Sequence, residues 1–235
     1  MQKDKFPIDV QFDGPAQCAN CGIRDLVLFS SLKDEDFALI HQPIDEPRFE
    51  KGEILYRENE PADHFYTVRE GLVKLVHKSA GGEEQIVRLL KRGDVLGLEA
   101  LVGKKYKATA VAIDSTLTCE IPLSVIIKLD KNLPHFRSHL LERWQRSVDE
   151  AEDWLQCLRT GPIKKRLARF LLRLAEGEPS GTIFLPTRED MGNMLAVKIE
   201  SISRVVAEFK RQGMIKKVAA YRFSIDVDML QKIVH

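Results

Sequence analysis

The run TREDMGNMLAVKIESISRVVAEFKRQ, residues 187–212, decides how the rest of the chain is interpreted. Thr187 is a good helix N-cap residue, and Asp190, three residues later, makes a capping-box-like pair with it. Apolar spacing predicts two short helices on either side of a compact turn at residues 196–198. Gly213 is expected to stop the second helix as a C-terminal cap. The stretch therefore predicts a helix-turn-helix.

The second helix, beginning near Ile199 or Glu200, has two distinct faces. Glu200, Ser203 and Arg204 lie at i, i+3 and i+4, so they share an outward face near the N-terminal end. An arginine fork matches guanine O6 and N7, a glutamate accepts from cytosine N4, and a serine hydroxyl serves either role. The pattern favours a recognition helix in the DNA major groove. A solvated face with a Glu200–Arg204 pair is the alternative. The residues expected on the buried face are Ile202, Val206 and Phe209.

Residues 190–204 resemble the helix-turn-helix of the cyclic-AMP receptor/fumarate-nitrate regulator (CRP/FNR) superfamily. The spacing E-x-x-S-R is similar to that of the oxygen-sensing branch, in which these residue types read a TTGAT-type half-site. The resemblance implies the same base-reading roles for Glu200, Ser203 and Arg204. We also expect DNA contacts from residues that flank the two helices, namely Thr187, Arg188 and Lys198.

The charge distribution supports a nucleic-acid partner. Residues 159–217 contain 13 Lys/Arg and 6 Asp/Glu, a local charge of +7. Because the whole chain has a net charge of +1, the remainder carries +1 − 7 = −6. A basic segment that contains the reading helix is the electrostatic footprint of phosphate binding.

Composition describes a soluble globular chain of 235 residues, 44% hydrophobic and 30% charged. No apolar run approaches the roughly 20 residues that a membrane span requires. The N-terminus lacks the apolar core of a signal peptide, so we expect a cytoplasmic protein without structural disulfides and without a membrane partner. No catalytic triad, phosphate loop or pair of catalytic carboxylates stands out, and we predict that the chain is not an enzyme.

Short strands and turns are predicted between about residues 44 and 122, which is typical of a sandwich, roll or barrel. The glycine pattern F-x-K-G-x-x-L-Y, V-x-x-G-x-V-K and G-D-V-L-G resembles the cyclic-nucleotide-binding roll of the same superfamily. Any other all-β sandwich is the alternative. The expected strands are 54–56, 65–68, 72–76, 85–89, 108–113 and 117–121.

A long helix is predicted from Pro134 to about Leu158, with an apolar seam at near-heptad spacing. In the resembling superfamily this helix joins two subunits, which implies a homodimer on palindromic half-sites about 34 Å apart. A helix packed back on its own domain is the alternative. The predicted dimer-interface residues are Phe136, Leu140, Trp144, Val148, Ala151 and Leu155.

The predicted fold class is α+β, in four parts. Residues 1–43 form an N-terminal cysteine-containing segment, and residues 44–132 form a sensory double-stranded β-helix, the cyclic-nucleotide-binding-like roll. Residues 133–160 form the dimerisation helix, and residues 161–235 form a winged helix-turn-helix domain.

Cysteines suggest where a signal could act. The oxygen-sensing branch binds a [4Fe–4S] cluster through three N-terminal cysteines and a distant fourth, and Cys18, Cys21 and Cys119 match three of these positions. The remaining position holds Val27, which cannot ligate iron. Three alternatives stay open: no cluster, a thiol redox switch at Cys18 and Cys21 with or without Cys119, and a cluster with an unusual fourth ligand.

The cyclic-AMP-binding members have a Gly-Glu-Leu stretch followed by Arg-Ser, whereas this chain has residues 97–100 (GLEA) and then Lys107-Ala108. Lysine lacks the bidentate fork that holds a phosphate, which argues against a cyclic-AMP ligand. The cofactor and any metal are therefore left open. RNA polymerase is a further partner that the resemblance implies. Two other functions remain as alternatives, a cyclic-nucleotide-type effector-binding regulator and a thiol redox protein using Cys18 and Cys21.

Overall fold

The structure is a computed structural model that describes residues 28–40, 44–78, 84–178 and 181–234, without the side chains of residues 155–157 and 159. Its first described segment contains a 3-10 helix, Asp34–Leu39. The backbone N–H of Lys33 donates to the Asp36 carboxylate over 2.8 Å and so caps this helix. Leu28 and Phe29 precede it and are buried in the core of the neighbouring β-domain.

Two four-stranded antiparallel sheets form that domain, which confirms the predicted roll. One sheet has the order β1-β8-β3-β6 and the other has the order β2-β7-β4-β5. A 3-10 helix, Leu98–Val102, follows β6. The strands are β1 Arg48–Phe49, β2 Ile54–Tyr56, β3 His64–Glu70, β4 Val73–Lys78, β5 Glu84–Leu90, β6 Val95–Leu96, β7 Thr109–Ala112 and β8 Thr116–Pro122.

Alternating burial explains why these segments form a roll: in β7, for example, Ala110 and Ala112 are fully buried while their neighbours are half-buried. The reversal between β3 and β4 depends on Gly71, which has φ +89°. A Cβ at this position would lie 2.5 Å from the backbone oxygen of Ser115, so only glycine fits here.

Two helices follow the roll, α1 (Leu123–Asn132) and α2 (Pro134–Arg159). Pro134 occupies the first turn of α2, where the missing N–H costs no helical hydrogen bond. The helix ends at Thr160, which is extended, and Gly161 follows with φ +87°. The predicted long helix and its end are confirmed.

The predicted apolar seam of α2 divides between two surfaces. Phe136 and Leu140 are 0% and 5% exposed and belong to the core of their own roll. Assigning these two residues to a dimer interface was therefore wrong, because the N-terminal half of the seam packs against Phe29 and its neighbours. Trp144 and Val148, by contrast, are 37% and 38% exposed.

The C-terminal part forms the predicted winged helix-turn-helix. Its small antiparallel sheet has the order β10-β11-β9, and its helices pack against one another around a second core. The elements are α3 Ile163–Ala175, β9 Thr182–Phe184, α4 Arg188–Met194, α5 Ile199–Arg211, β10 Ile215–Ala219, β11 Arg222–Ile225 and α6 Val227–Val234. None of the helices within the described ranges is both long enough and apolar enough to cross a bilayer.

Candidate nucleic-acid interface

Thr187 is the N-cap residue of helix α4, as predicted. The backbone N–H of Asp190 donates to Thr187 Oγ1 over 3.0 Å, and the Thr187 hydroxyl donates to Asp190 Oδ2 over 2.7 Å. The second half of a standard capping box is a carboxylate bonded to the N-cap N–H. Here the Asp190 carboxylate instead forms an ion pair with Lys74, on β4 of the roll, with 2.7 Å between Nζ and Oδ1. The cap of α4 therefore also joins the two parts of the molecule.

A tight turn sets the angle between α4 and α5. Val197 N–H donates to the Gly192 carbonyl over 2.9 Å, and a Cβ at Gly192 would lie 2.9 Å from the Val197 oxygen. Glycine is required here because the turn passes so close to the helix. Ala196 adopts φ +48°, a left-handed conformation that is strained for a residue with a side chain.

Helix α5 buries the face that the spacing predicted, and Val205 adds to it. Its C-terminal end is closed by Gly213, which has φ +78°. Gly213 N–H donates to the Lys210 carbonyl over 3.1 Å, and Met214 N–H donates to the Phe209 carbonyl over 3.0 Å. This pair of bonds is a Schellman motif, which confirms the predicted cap.

Glu200, Ser203 and Arg204 are all exposed on the opposite face of α5. Within the part of the chain that the structure describes, none of these three side chains has a hydrogen-bond or ion-pair partner. The alternative of a Glu200–Arg204 ion pair therefore does not occur in this structure. A carboxylate, a hydroxyl and a guanidinium group project together from the first turns of the helix.

The flanking residues lie around this face. Thr187 and Lys198 are exposed at the N-caps of α4 and α5. Arg188 is half-buried, and burial lowers the pKa of its guanidinium group. Arginine side chains stay protonated in proteins, so we expect Arg188 to remain charged.

Two further cations near Arg188 were missed by the sequence analysis. Burial, and then the charges of Arg188 and Lys217, lower the pKa of Lys210. The three cations come from α4, α5 and β10, and Lys210 Nζ also lies 4.8 Å from the centre of the Phe223 ring. No local motif could have grouped them, because the wing brings together residues that are distant in sequence. Such a concentration of positive charge favours binding of a phosphate backbone.

The helix-turn-helix is docked on an edge of the roll. Strand β5 is the edge strand of its sheet, and its outward backbone groups bind the side chain of Asn193 in α4. Ile86 N–H donates to Asn193 Oδ1 over 2.9 Å, and Asn193 Nδ2 donates to the Glu84 carbonyl over 2.8 Å. The orientation of α4, and of α5 packed on it, is therefore tied to the roll.

Cys119 is the one predicted sensing cysteine that lies within the described residues. Cys18, Cys21 and Val27 lie outside them. Cys119 is on β8 opposite Thr67, is 9% exposed and belongs to the core of the roll. No group of three His, Cys, Asp or Glu residues in the described part of the chain could hold a metal ion. Among the predicted sensing residues, the structure therefore shows only that the Cys119 thiol is buried in an apolar core.

Residues 97–108, which were compared with the cyclic-AMP-binding residues of the superfamily, form contacts within the roll. The backbone N–H of Lys107 donates to Glu99 Oε1 over 3.3 Å, and the rings of Tyr56 and Tyr106 stack at 3.8 Å. Arg88, on β5, donates to Ser147 Oγ of α2 over 2.7 Å. A largely apolar cleft between the roll and α2 is lined by these elements, including Trp144, Val148 and Ala151.

The fold and this interface define a class of protein, a DNA-binding regulator in which a sensory roll carries a winged helix-turn-helix. Comparison with known proteins agrees. Residues 46–132 match the cyclic nucleotide-binding domain family, and residues 165–233 match the Crp-like helix-turn-helix domain family.

Similar proteins cover most of the chain. It is 30% identical over 207 residues to the transcriptional activator protein anr of Pseudomonas aeruginosa, which covers 85% of each chain. It is 26% identical to the anaerobic regulatory protein of Pasteurella multocida, over 90% of this chain and 81% of that protein. The structure of FixK2 from Bradyrhizobium japonicum superposes with a TM-score of 0.72 at 27% identity, over 81% of this chain and 96% of that one. The chain belongs to the CRP/FNR family of transcription regulators and is not an enzyme.

Proposed function

We propose that this regulator acts as a homodimer that reads a TTGAT-type palindrome and responds to oxygen or redox state. The observation that carries the base-reading proposal is that Glu200, Ser203 and Arg204 are exposed at the start of α5 and have no partner among the residues that the structure describes. Affinity would come from the basic surface around Arg188 and Lys210, and base choice would come from the three reading residues.

The experiment for base reading is a binding titration on a TTGAT palindrome and on single-base variants of it. Arg204→Ala should cost about 1–3 kcal/mol at one base position and relax selectivity there. Lys131→Ala, an exposed substitution at the end of α1, is the control and should bind as the wild type does. Unchanged affinity and unchanged selectivity in Arg204→Ala would show that the assignment of this residue is wrong.

Dimerisation through α2 is supported by its exposed apolar stripe. Leu141, Trp144 and Val148 lie at i, i+3 and i+7 and are 66%, 37% and 38% exposed, so a single chain leaves them in water. Ala151 extends this apolar stripe by one more residue and is half-buried. The side chain of Leu155 is not among the described ones.

Two substitutions separate the two surfaces of α2. Leu141→Asp should shift the protein to monomers in sedimentation without unfolding it, because its site is exposed. Phe136→Ala should cost about 3–5 kcal/mol of folding stability in the monomer, because it opens a cavity in the core. A Leu141→Asp variant that stays dimeric at micromolar concentration would overturn this interface.

An oxygen or redox signal is supported by the relatives, one of which is named an anaerobic regulatory protein. We place the sensing groups at Cys18 and Cys21, with Cys119 as a further candidate, and we do not assign a cyclic nucleotide to the roll. Leu28 and Phe29, the first described residues after Cys21, belong to the same apolar core as Phe136 of α2, and the ring centres of Phe29 and Phe136 lie 6.5 Å apart. A change at the cysteines could thereby alter the packing of α2 and shift the population between two arrangements of the reading helices.

Measurements on protein purified without oxygen distinguish a cluster, a thiol switch and the absence of redox sensing at the cysteines. An absorbance band in the visible range with equal iron and sulfide content supports a cluster with an unusual ligand. Absence of iron, together with a reversible Cys18–Cys21 disulfide by mass spectrometry, supports a thiol switch. Absence of both, with DNA binding unaffected by air, would overturn redox sensing at these residues.

Transcription activation through contact with RNA polymerase is proposed from the relatives that are named activators. Transcription in vitro from a promoter that contains the palindrome tests this proposal.

A further inference from the structure

Ile199 is the first residue of α5 and carries an exposed aliphatic side chain at the end of the helix that holds the reading residues. Its side chain is 47% exposed, and it is the one large apolar residue of α5 that is exposed rather than buried. Apolar residues at the start of a recognition helix have a defined chemical use, because the 5-methyl group of thymine is the apolar feature of the major groove.

The position of Ile199 relative to the reading residues is set by helix geometry. Ile199 and Ser203 are four residues apart and lie on the same face, and Glu200 follows Ile199 directly. One side of Ile199 is supported by α4, since its Cγ1 lies 3.7 Å from the point where a Cβ on Gly192 would be. The other side is open. A supported side chain that still exposes methyl groups can make a defined contact with little loss of side-chain entropy.

We infer that Ile199 is a fourth base-reading residue that contacts the methyl group of a thymine next to the G·C pair of the half-site. This inference rests on the proposed reading of a TTGAT-type site by Glu200, Ser203 and Arg204. If Glu200 accepts a hydrogen bond from the cytosine of the G·C pair, its neighbour along the helix faces an adjacent base pair. In TTGAT the adjacent thymines are the second T and the T opposite the A.

The experiment removes one methyl group from the DNA without altering base pairing. Each of these two thymines is replaced in turn by deoxyuridine, in both half-sites of the palindrome, and binding of the full-length protein is titrated. Burying one methyl group is worth about 0.8 kcal/mol, or about 4-fold in affinity. Loss of one methyl group in each half-site should therefore weaken wild-type binding by roughly 15-fold at one of the two positions.

A double-mutant cycle assigns that loss to Ile199. Ile199→Ala should bind the thymine and deoxyuridine duplexes with equal affinity, whereas Ile199→Val, which keeps two methyl groups, should retain most of the discrimination. Ile127→Ala is the matched control, because Ile127 is 57% exposed on α1 and should leave the discrimination intact. Thermal unfolding of each variant checks that the fold is retained.

The outcomes separate this inference from the function on which it rests. If the wild type selects the palindrome but tolerates deoxyuridine at both positions, the inference is overturned and the proposed function stands. The inference is also overturned, with the proposed function intact, if Ile199→Ala discriminates as strongly as the wild type does. If the wild type fails to select the palindrome over a scrambled duplex, the proposed function fails and the inference fails with it.

Discussion

Lys74 and Asp190 form an ion pair between the roll and the first helix of the helix-turn-helix, with 2.7 Å between Nζ and Oδ1. Their side chains are only 19% and 12% exposed, so water screens the pair weakly. The same carboxylate accepts the Thr187 hydroxyl at the start of α4. One aspartate therefore contributes both to the helix cap and to the contact between domains.

Removing that carboxylate should be costly. Asp190→Ala deletes the partner of a largely buried lysine and of the Thr187 hydroxyl, so we expect the free energy of unfolding to fall by about 1–3 kcal/mol. Urea unfolding at pH 7 measures it. The matched control is Asp130→Ala, whose ion pair with Arg137 is much more exposed and should contribute at most about 1 kcal/mol. Equal losses in the two variants would contradict a special role for the Lys74–Asp190 pair.

The turn of the helix-turn-helix contains backbone strain that glycine would relieve. Ala196 has φ +48° and is exposed, so Ala196→Gly should raise the free energy of unfolding by about 0.5–1 kcal/mol after the greater freedom of the unfolded glycine is subtracted. Ala207→Gly in the exposed face of α5 is the control and should lower it by about 0.5–1 kcal/mol. Thermal and urea unfolding compare them; destabilisation by both substitutions would show that Ala196 is not strained.

Asp94 links stability to pH. Burial, and then the charge of Glu150 on α2, raise the pKa of Asp94 to about 6. Between its ordinary pKa near 3.8 and about 6 the folded chain binds the proton more tightly than the unfolded chain does, so this group makes stability fall as pH rises through that window.

Asp94→Asn should therefore stabilise the protein at pH 7.5, by about 1–2 kcal/mol. The amide oxygen can still accept from the backbone N–H of Lys91, which donates to this side chain over 2.8 Å in the wild type. The advantage should shrink as pH falls from 6 to 4, where wild-type Asp94 becomes protonated. Urea unfolding across this range measures the effect, with the exposed Asp149→Asn as the control. A difference that does not vary with pH would contradict the assignment.

Phosphate contact and base reading should respond differently to substitution. Lys217→Ala removes one charge from the cation group of Arg188, Lys210 and Lys217, so binding should weaken equally for matched and mismatched DNA. The slope of log affinity against log salt should decrease by about 0.9 for each phosphate that the variant no longer neutralises. Binding titrations between 50 and 200 mM salt, with Lys131→Ala as the control, measure the slope. A weakening confined to one base position would instead place Lys217 among the reading residues.

Local sequence signals predicted the elements of the interface well, because they are short-range. The Thr187 cap, the buried face through Ile202 and Phe209 and the Gly213 stop each involve residues within one or two helical turns. The outward face of Glu200 and Arg204 follows from the same periodicity. Hydrogen bonding and helical spacing act over a few residues, so their pattern is present in the sequence itself.

Along the long helix α2, local periodicity did not determine which residues are buried. Its apolar spacing predicted one continuous face through Phe136, Leu140, Trp144 and Val148. The first two of these residues are buried in the roll, whereas the last two are exposed. Periodicity shows that a helix has an apolar face but not what covers it. The segment around Phe29, more than 100 residues earlier in the chain, covers the first half.

By itself, the sequence determined the helix-turn-helix, the roll and the residues that are exposed together at the start of α5, since each depends on spacing along a single element. Only the tertiary structure decided that Asp190 binds Lys74, that Asn193 binds the edge of β5, and that Arg188 and Lys210 share one patch of charge. These contacts join residues that are far apart in the chain. Their energy depends on distance and burial in the folded state, which no local pattern of residues specifies.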